Sequence, residues 1–134
     1  MKKDIDFPKV EGVKIAVTLQ IGENNIEYWD VHIINRNAFP IDNVMVTSRG
    51  FGEKNGQEIK TSILRHFIEK VEAHSIAKIE PIQSELFSIN NEYWLSYYVN
   101  NQLFDKKFLF LPDSIVKENL IEINPFRLVG VLHE

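Results

Sequence analysis

With 134 residues, 44% hydrophobic and 25% charged, the chain has room for one domain of ordinary size and the balance of a soluble folded protein, not of a disordered or collagen-like one. Fifteen basic against nineteen acidic residues leave a net charge of −4, and no basic run or basic aromatic stripe offsets it, which argues against nucleic acid as a partner. The absence of cysteine removes disulfides, thiolate metal sites and cysteine nucleophiles together.

In the opening residues, Asp4, Asp6 and Pro8 interrupt any apolar leader core, and no later stretch approaches the length of about eighteen apolar residues that a membrane helix needs. The expectation is a cytoplasmic chain without membrane contact. Residues Val13 to Ile21 alternate, with Val13, Ile15, Val17, Leu19 and Ile21 on one face, the pattern of a half-buried strand. Gly22-Glu23-Asn24-Asn25 supplies turn chemistry, and an extended run resumes from Ile26 to Asn35. Its apolar face carries Trp29, Val31 and Ile33, while Asp30 and His32 fall on the other, read as solvent-facing. Setting Trp29 beside Val17 or Leu19 requires a loop with an odd number of residues.

Turn formers crowd Arg36 to Asn43, where the chain is expected to cross over. Val44 to Phe51 reads as a third strand, followed by a flexible loop through Lys54-Asn55-Gly56. Gly50-Phe51-Gly52 has the composition of a phosphate cradle, but no helix start follows to aim its N–H groups. Thr61 to Glu72 is ambiguous: Ile63, Leu64, Phe67, Ile68 and Val71 recur at helical spacing, yet everything around them is strand and turn. A strand is preferred, because tertiary pairing overrides propensity. His74 to Pro81 adds a short strand.

Glu92 to Val99 meets Leu103 to Leu111 across Asn100-Asn101, a pair suited to a type I′ turn. A two-residue loop fixes the register: Tyr97 opposes Phe104, Leu95 opposes Lys106 and Tyr93 opposes Phe108. The reverse face then holds Tyr98 with Leu103, Ser96 with Asp105 and Trp94 with Lys107. The triplet Glu-Tyr-Trp therefore opens both the second strand, at residues 27–29, and the sixth, at residues 92–94. From Pro112 the tail is too apolar to hang free, with Leu120, Ile121, Ile123, Phe126, Leu128, Val129, Val131 and Leu132. It is expected to add an edge strand or to drape over a sheet face.

About seven strands with turns at intervals predict an all-β fold, an immunoglobulin-like antiparallel sandwich. One domain spans 1–134, with a core over 13–111 and an appended apolar C-terminal segment over 112–134. The segments Trp29-Asp30-Val31-His32-Ile33-Ile34-Asn35, Thr47-Ser48-Arg49-Gly50-Phe51-Gly52, Thr61-Ser62-Ile63-Leu64-Arg65-His66, Asn91-Glu92-Tyr93-Trp94 and Lys106-Lys107-Phe108-Leu109-Phe110 resemble those of a group of small uncharacterised bacterial β-sandwich proteins. Some of that group carry the label phenylalanyl-tRNA synthetase alpha subunit, but the motifs of that enzyme's mixed α/β catalytic core do not occur in this chain. The resemblance implies the fold and no established activity.

Four histidines, His32, His66, His74 and His133, lack metal-ligand spacing, and Ser48, Ser62 and Ser96 lack a nucleophile-elbow context. Glu80, Glu85, Glu92 and Asp105 read as surface charges. The expectation is no enzyme, no cofactor and no metal. What remains is a candidate interaction surface of Trp94, Tyr98, Lys107 and Leu103. The tail or a second subunit is expected to bury it; left open, it would serve a protein partner or stacking against sugar rings, while a homodimer is expected to use an edge strand or the apolar tail.

Overall fold

The computed structural model describes residues 8–133; the opening segment read as lacking a leader core lies almost wholly outside them. In chain order the strands are β1 (Val13–Ile21), β2 (Glu27–Asn35), β3 (Ile41–Lys54), β4 (Gln57–Lys60), β5 (Leu64–Val71), β6 (Ser75–Ile82), β7 (Asn90–Val99), β8 (Gln102–Phe110), β9 (Ile121–Ile123) and β10 (Leu128–His133). They form two five-stranded antiparallel sheets packed as a sandwich. The first runs β6-β2-β1-β10-β9; the second runs β4-β3-β7-β8, with β5 sharing the outer edge of β3.

The described residues thus hold ten strands, not about seven. The three additions have plain causes. β4 is short and mostly polar, and it pairs only with the far end of β3 across the Asn55-Gly56 turn, where both residues take positive φ. β9 and β10 come from the tail, divided by the turn at Pro125, and Gly130, expected to divide it further, lies inside β10. β3 is also longer than Val44 to Phe51: it starts directly after Pro40 and runs through Gly50-Phe51-Gly52, so those glycines sit in a ladder and cradle nothing.

Both hairpin registers follow from loop chemistry. Leu19 pairs with Trp29 and Ile21 with Glu27, across a five-residue loop. Val99 pairs with Gln102, Tyr97 with Phe104 and Tyr93 with Phe108, because Asn100 and Asn101 both adopt positive φ in the two-residue turn. β2 and β7 therefore lie in opposite sheets and send side chains into one core. Val17, Val31, Ile33 and Val131 meet Val46, Tyr93, Leu95, Tyr97 and Phe108 there. Inside, Tyr97 stacks on Phe104 at 5.2 Å, and Trp29 packs edge-on against Phe87 at 5.1 Å.

The tail joins the first sheet. β10 pairs with β1 from Ile15 to Thr18, and β9 pairs with β10. Ala16, Ile34 and Ile123 then form a second, smaller apolar cluster, with Phe126 and Leu132 packed against it. The close approach depends on Gly130, where a Cβ would stand 2.8 Å from the Val17 carbonyl oxygen. Among the described residues, no helix is long and apolar enough to cross a membrane.

Candidate functional site

The outer face of the second sheet carries five large apolar side chains exposed to solvent: Phe67 at 60%, Leu103 at 45%, Met45 and Trp94 at 44%, and Tyr98 at 39%. Strand pairing sets them side by side. Phe67 on β5 is opposite Met45 on β3, Met45 is opposite Ser96 on β7, and Tyr98 is opposite Leu103 on β8. Together they line a shallow trough of about 460 Å³. Trp94 is pinned at one end: its indole Nε1 donates to the Asp105 carboxylate, and the Lys107 ammonium lies 4.5 Å from the ring centroid. The ring is thereby held in one orientation.

All four residues expected on this surface, Trp94, Tyr98, Lys107 and Leu103, lie on this face. The tail, one of the two covers expected for it, lies elsewhere. The tail adds to the edge of the other sheet and leaves the aromatic face open, because β1 offers unpaired backbone groups that β10 satisfies. Met45 and Phe67, not expected on this surface, belong to it as well. Arg65 and Glu69 flank Phe67 at strand spacing, the mark of an outward-facing position.

A second group of polar residues sits between the sheets. Glu80 on β6 receives the Ser48 hydroxyl at 2.8 Å and the His66 Nε2–H at 2.6 Å on one carboxylate oxygen, and the Tyr93 hydroxyl at 3.2 Å on the other. Burial, reinforced by the Glu80 charge, pushes the Tyr93 phenol well above its usual range, so it remains a donor. Burial alone pushes Tyr97 up to about 12. Glu80, read as a surface charge, is therefore joined to Ser48 within the protein, beside a cavity of about 180 Å³. The chemistry is that of a tie. Ser48 and His66 donate to the same oxygen, so the imidazole Nε2 is no base toward the hydroxyl. One carboxylate of the first sheet instead joins β3, β5 and β7 of the second.

The third polar group corrects another expectation. Asp30 and His32 are buried, at 6% and 8% exposure, although they point away from the main core. β2 lies between β1 and β6, and long neighbours screen it: Lys78 Nζ stands 3.3 Å from Asp30 Oδ1, and Gln20 donates to Thr18 at 3.1 Å. The Thr18 hydroxyl oxygen is 3.0 Å from His32 Nδ1. Burial lowers the His32 pKa below its ordinary 6.5, with Asp30 opposing and Lys78 assisting the shift.

The remaining histidines are dispersed. His74 occupies a turn with positive φ, and His133 packs edge-on against Phe108 and Phe110. Among the described residues, no three His, Asp or Glu side chains converge as a metal site would require. Comparison with protein-family models, curated proteins and solved structures finds no match for this chain.

Proposed function

We propose that the protein is a non-enzymatic contact module, an immunoglobulin-like sandwich that binds a protein through the outer face of its second sheet. One observation carries the reading: five large apolar side chains on one rigid, uncovered sheet face. A contiguous apolar patch of a few hundred Å² commonly marks an interaction site. The strand order supports the immunoglobulin likeness, since β6-β2-β1 and β3-β7-β8 reproduce the E-B-A and C-F-G neighbours of that fold. The saturated Glu80 carboxylate, engaged by three donors of the protein itself, supports the non-enzymatic part. The cytoplasm is the setting we propose; nothing in a cysteine-free chain calls for an oxidising compartment.

A photo-crosslinking phenylalanine analogue at position 67, in cells that produce the protein, tests the reading. A protein adduct is expected, and an absence of adducts contradicts it. The alternative, carbohydrate binding through Trp94 and Tyr98, is favoured by the Ser96 hydroxyl between them and by Asn43 and Thr47 in the same trough. The Lys107 ammonium against the Trp94 ring and the apolar bulk of Phe67 and Met45 favour protein. Glycan-array binding abolished by Trp94→Ala would reverse this choice.

A further inference from the structure

Strand register arranges the exposed face in three rows. One row holds Arg65, Thr47, Trp94 and Lys107; the middle row holds Phe67, Met45, Ser96 and Asp105. The third holds Tyr98 and Leu103, with Glu69 two residues beyond Phe67 on β5. On two strands the outer rows are complementary about the middle one, a cation against an anion on β5 and a large aromatic against a large aromatic on β7, while on β8 the stem of Lys107 stands against Leu103.

We infer that the occupant of this face is a second copy of the same chain, stacked face to face about a two-fold axis along the Phe67-Met45-Ser96-Asp105 row. The inference rests on the protein-contact reading above. Such an axis brings each Arg65 to the partner's Glu69 and each Trp94 to the partner's Tyr98, and sets Phe67 on Phe67 and Met45 on Met45. An isologous interface requires this self-complementarity. The like charges that meet, the two Asp105 carboxylates, lie on the edge strand β8, and each already accepts the Trp94 indole N–H. Sheets packed through such faces lie about 10 Å apart, close enough for these side chains to interdigitate.

Area agrees with this occupant. Three aromatic rings, a methionine and a leucine at these exposures present roughly 400 to 500 Å² of apolar surface. That is about half of the roughly 800 Å² each partner gives to a stable interface, and the flanking polar rows supply the remainder. Pairing along the free edge of β8 is a poorer route for self-association. Lys106 on the free edge strand β8 projects toward the core side with its ammonium 4.7 Å from the Phe108 ring centroid, and an inward-pointing charge discourages strand addition.

Sedimentation equilibrium over a dilution series of the purified full chain tests the inference. A mass rising from 15.6 kDa toward twice that value is expected. Phe67→Lys should hold the chain monomeric at every concentration. Arg65→Glu and Glu69→Arg should each weaken the dimer by about tenfold, and the double exchange should restore it, since each cross-partner pair is then re-formed with reversed sign. A wild-type chain that remains monomeric overturns the inference, as does a dimer indifferent to Phe67→Lys or a double exchange no tighter than the singles. Crosslinks from position 67 to a different protein, with a monomeric purified chain, overturn self-association and leave the contact reading standing. No crosslink and no dimer remove both.

Discussion

The Glu-Tyr-Trp triplet occurs twice and is used in opposite phase. On β2, Tyr28 faces out and Trp29 packs toward the main core; on β7, Tyr93 is buried and Trp94 faces out. Alanine at the two tryptophans should therefore act differently. Trp29→Ala should cost about 2 to 4 kcal/mol in urea unfolding, less than a fully buried ring because Trp29 is half-buried, whereas Trp94→Ala should change monomer stability by under about 1 kcal/mol. Equal losses would contradict the placement. Glu80 is the other residue with unusual leverage. Glu80→Ala orphans the Ser48 and Tyr93 hydroxyls and should cost about 2 to 3 kcal/mol, against about 1 kcal/mol for Tyr93→Phe, measured by denaturant titration. His32 gives a pH signature. Its pKa is lowered in the folded state, so the unfolded chain takes up the proton first as pH falls; the stability it contributes is complete above about 6.5 and declines below it. His32→Asn should flatten the fall in unfolding free energy between about pH 7 and pH 5, and an unchanged slope would refute this origin. Neither Glu80 nor His32 was legible as a covered residue: strand alternation tells which residues share a face, not whether that face is covered.

Among the elements, legibility tracked the cleanness of local chemistry. Val13 to Ile21 alternates, and Asn100-Asn101 permits essentially one tight turn, so β1, β7 and β8 and the β7–β8 register were readable from the chain, whereas only the parity of the first hairpin's register was. β5 was ambiguous because Phe67 faces out while its neighbour Ile68 packs on the core, and adjacent apolar residues on opposite faces imitate helical spacing. β4 has too few apolar residues to signal, and the tail's breakers concealed β9 and β10. Gly130 is where that tail is seated. Gly130→Ala would press a methyl group against the Val17 carbonyl and should destabilise by about 1 to 3 kcal/mol, with hydrogen exchange rising first in β10 and β9. Exchange that rises equally in all strands would contradict a local role.

For the whole molecule, the allocation of apolar surface is the central fact. The tail completes the first sheet and builds a second cluster on its outer side, while the corresponding side of the second sheet keeps its aromatics in water. Burying those five side chains at about 25 cal/mol per Å² is a sizeable driving force for association, even after the cost of immobilising a partner. The four candidate residues on β7 and β8 were visible because the hairpin register exposes them together. Met45 and Phe67 were not, because their nearness depends on β3 pairing with both β5 and β7. Isotope-filtered nuclear Overhauser spectroscopy on a mixture of labelled and unlabelled chains reads out whether this face meets its own copy. Intermolecular contacts from Trp94 to Tyr98 and between Met45 methyl groups are expected. Intermolecular contacts confined to other surfaces, or none from this face at concentrations where the mass has doubled, would contradict it.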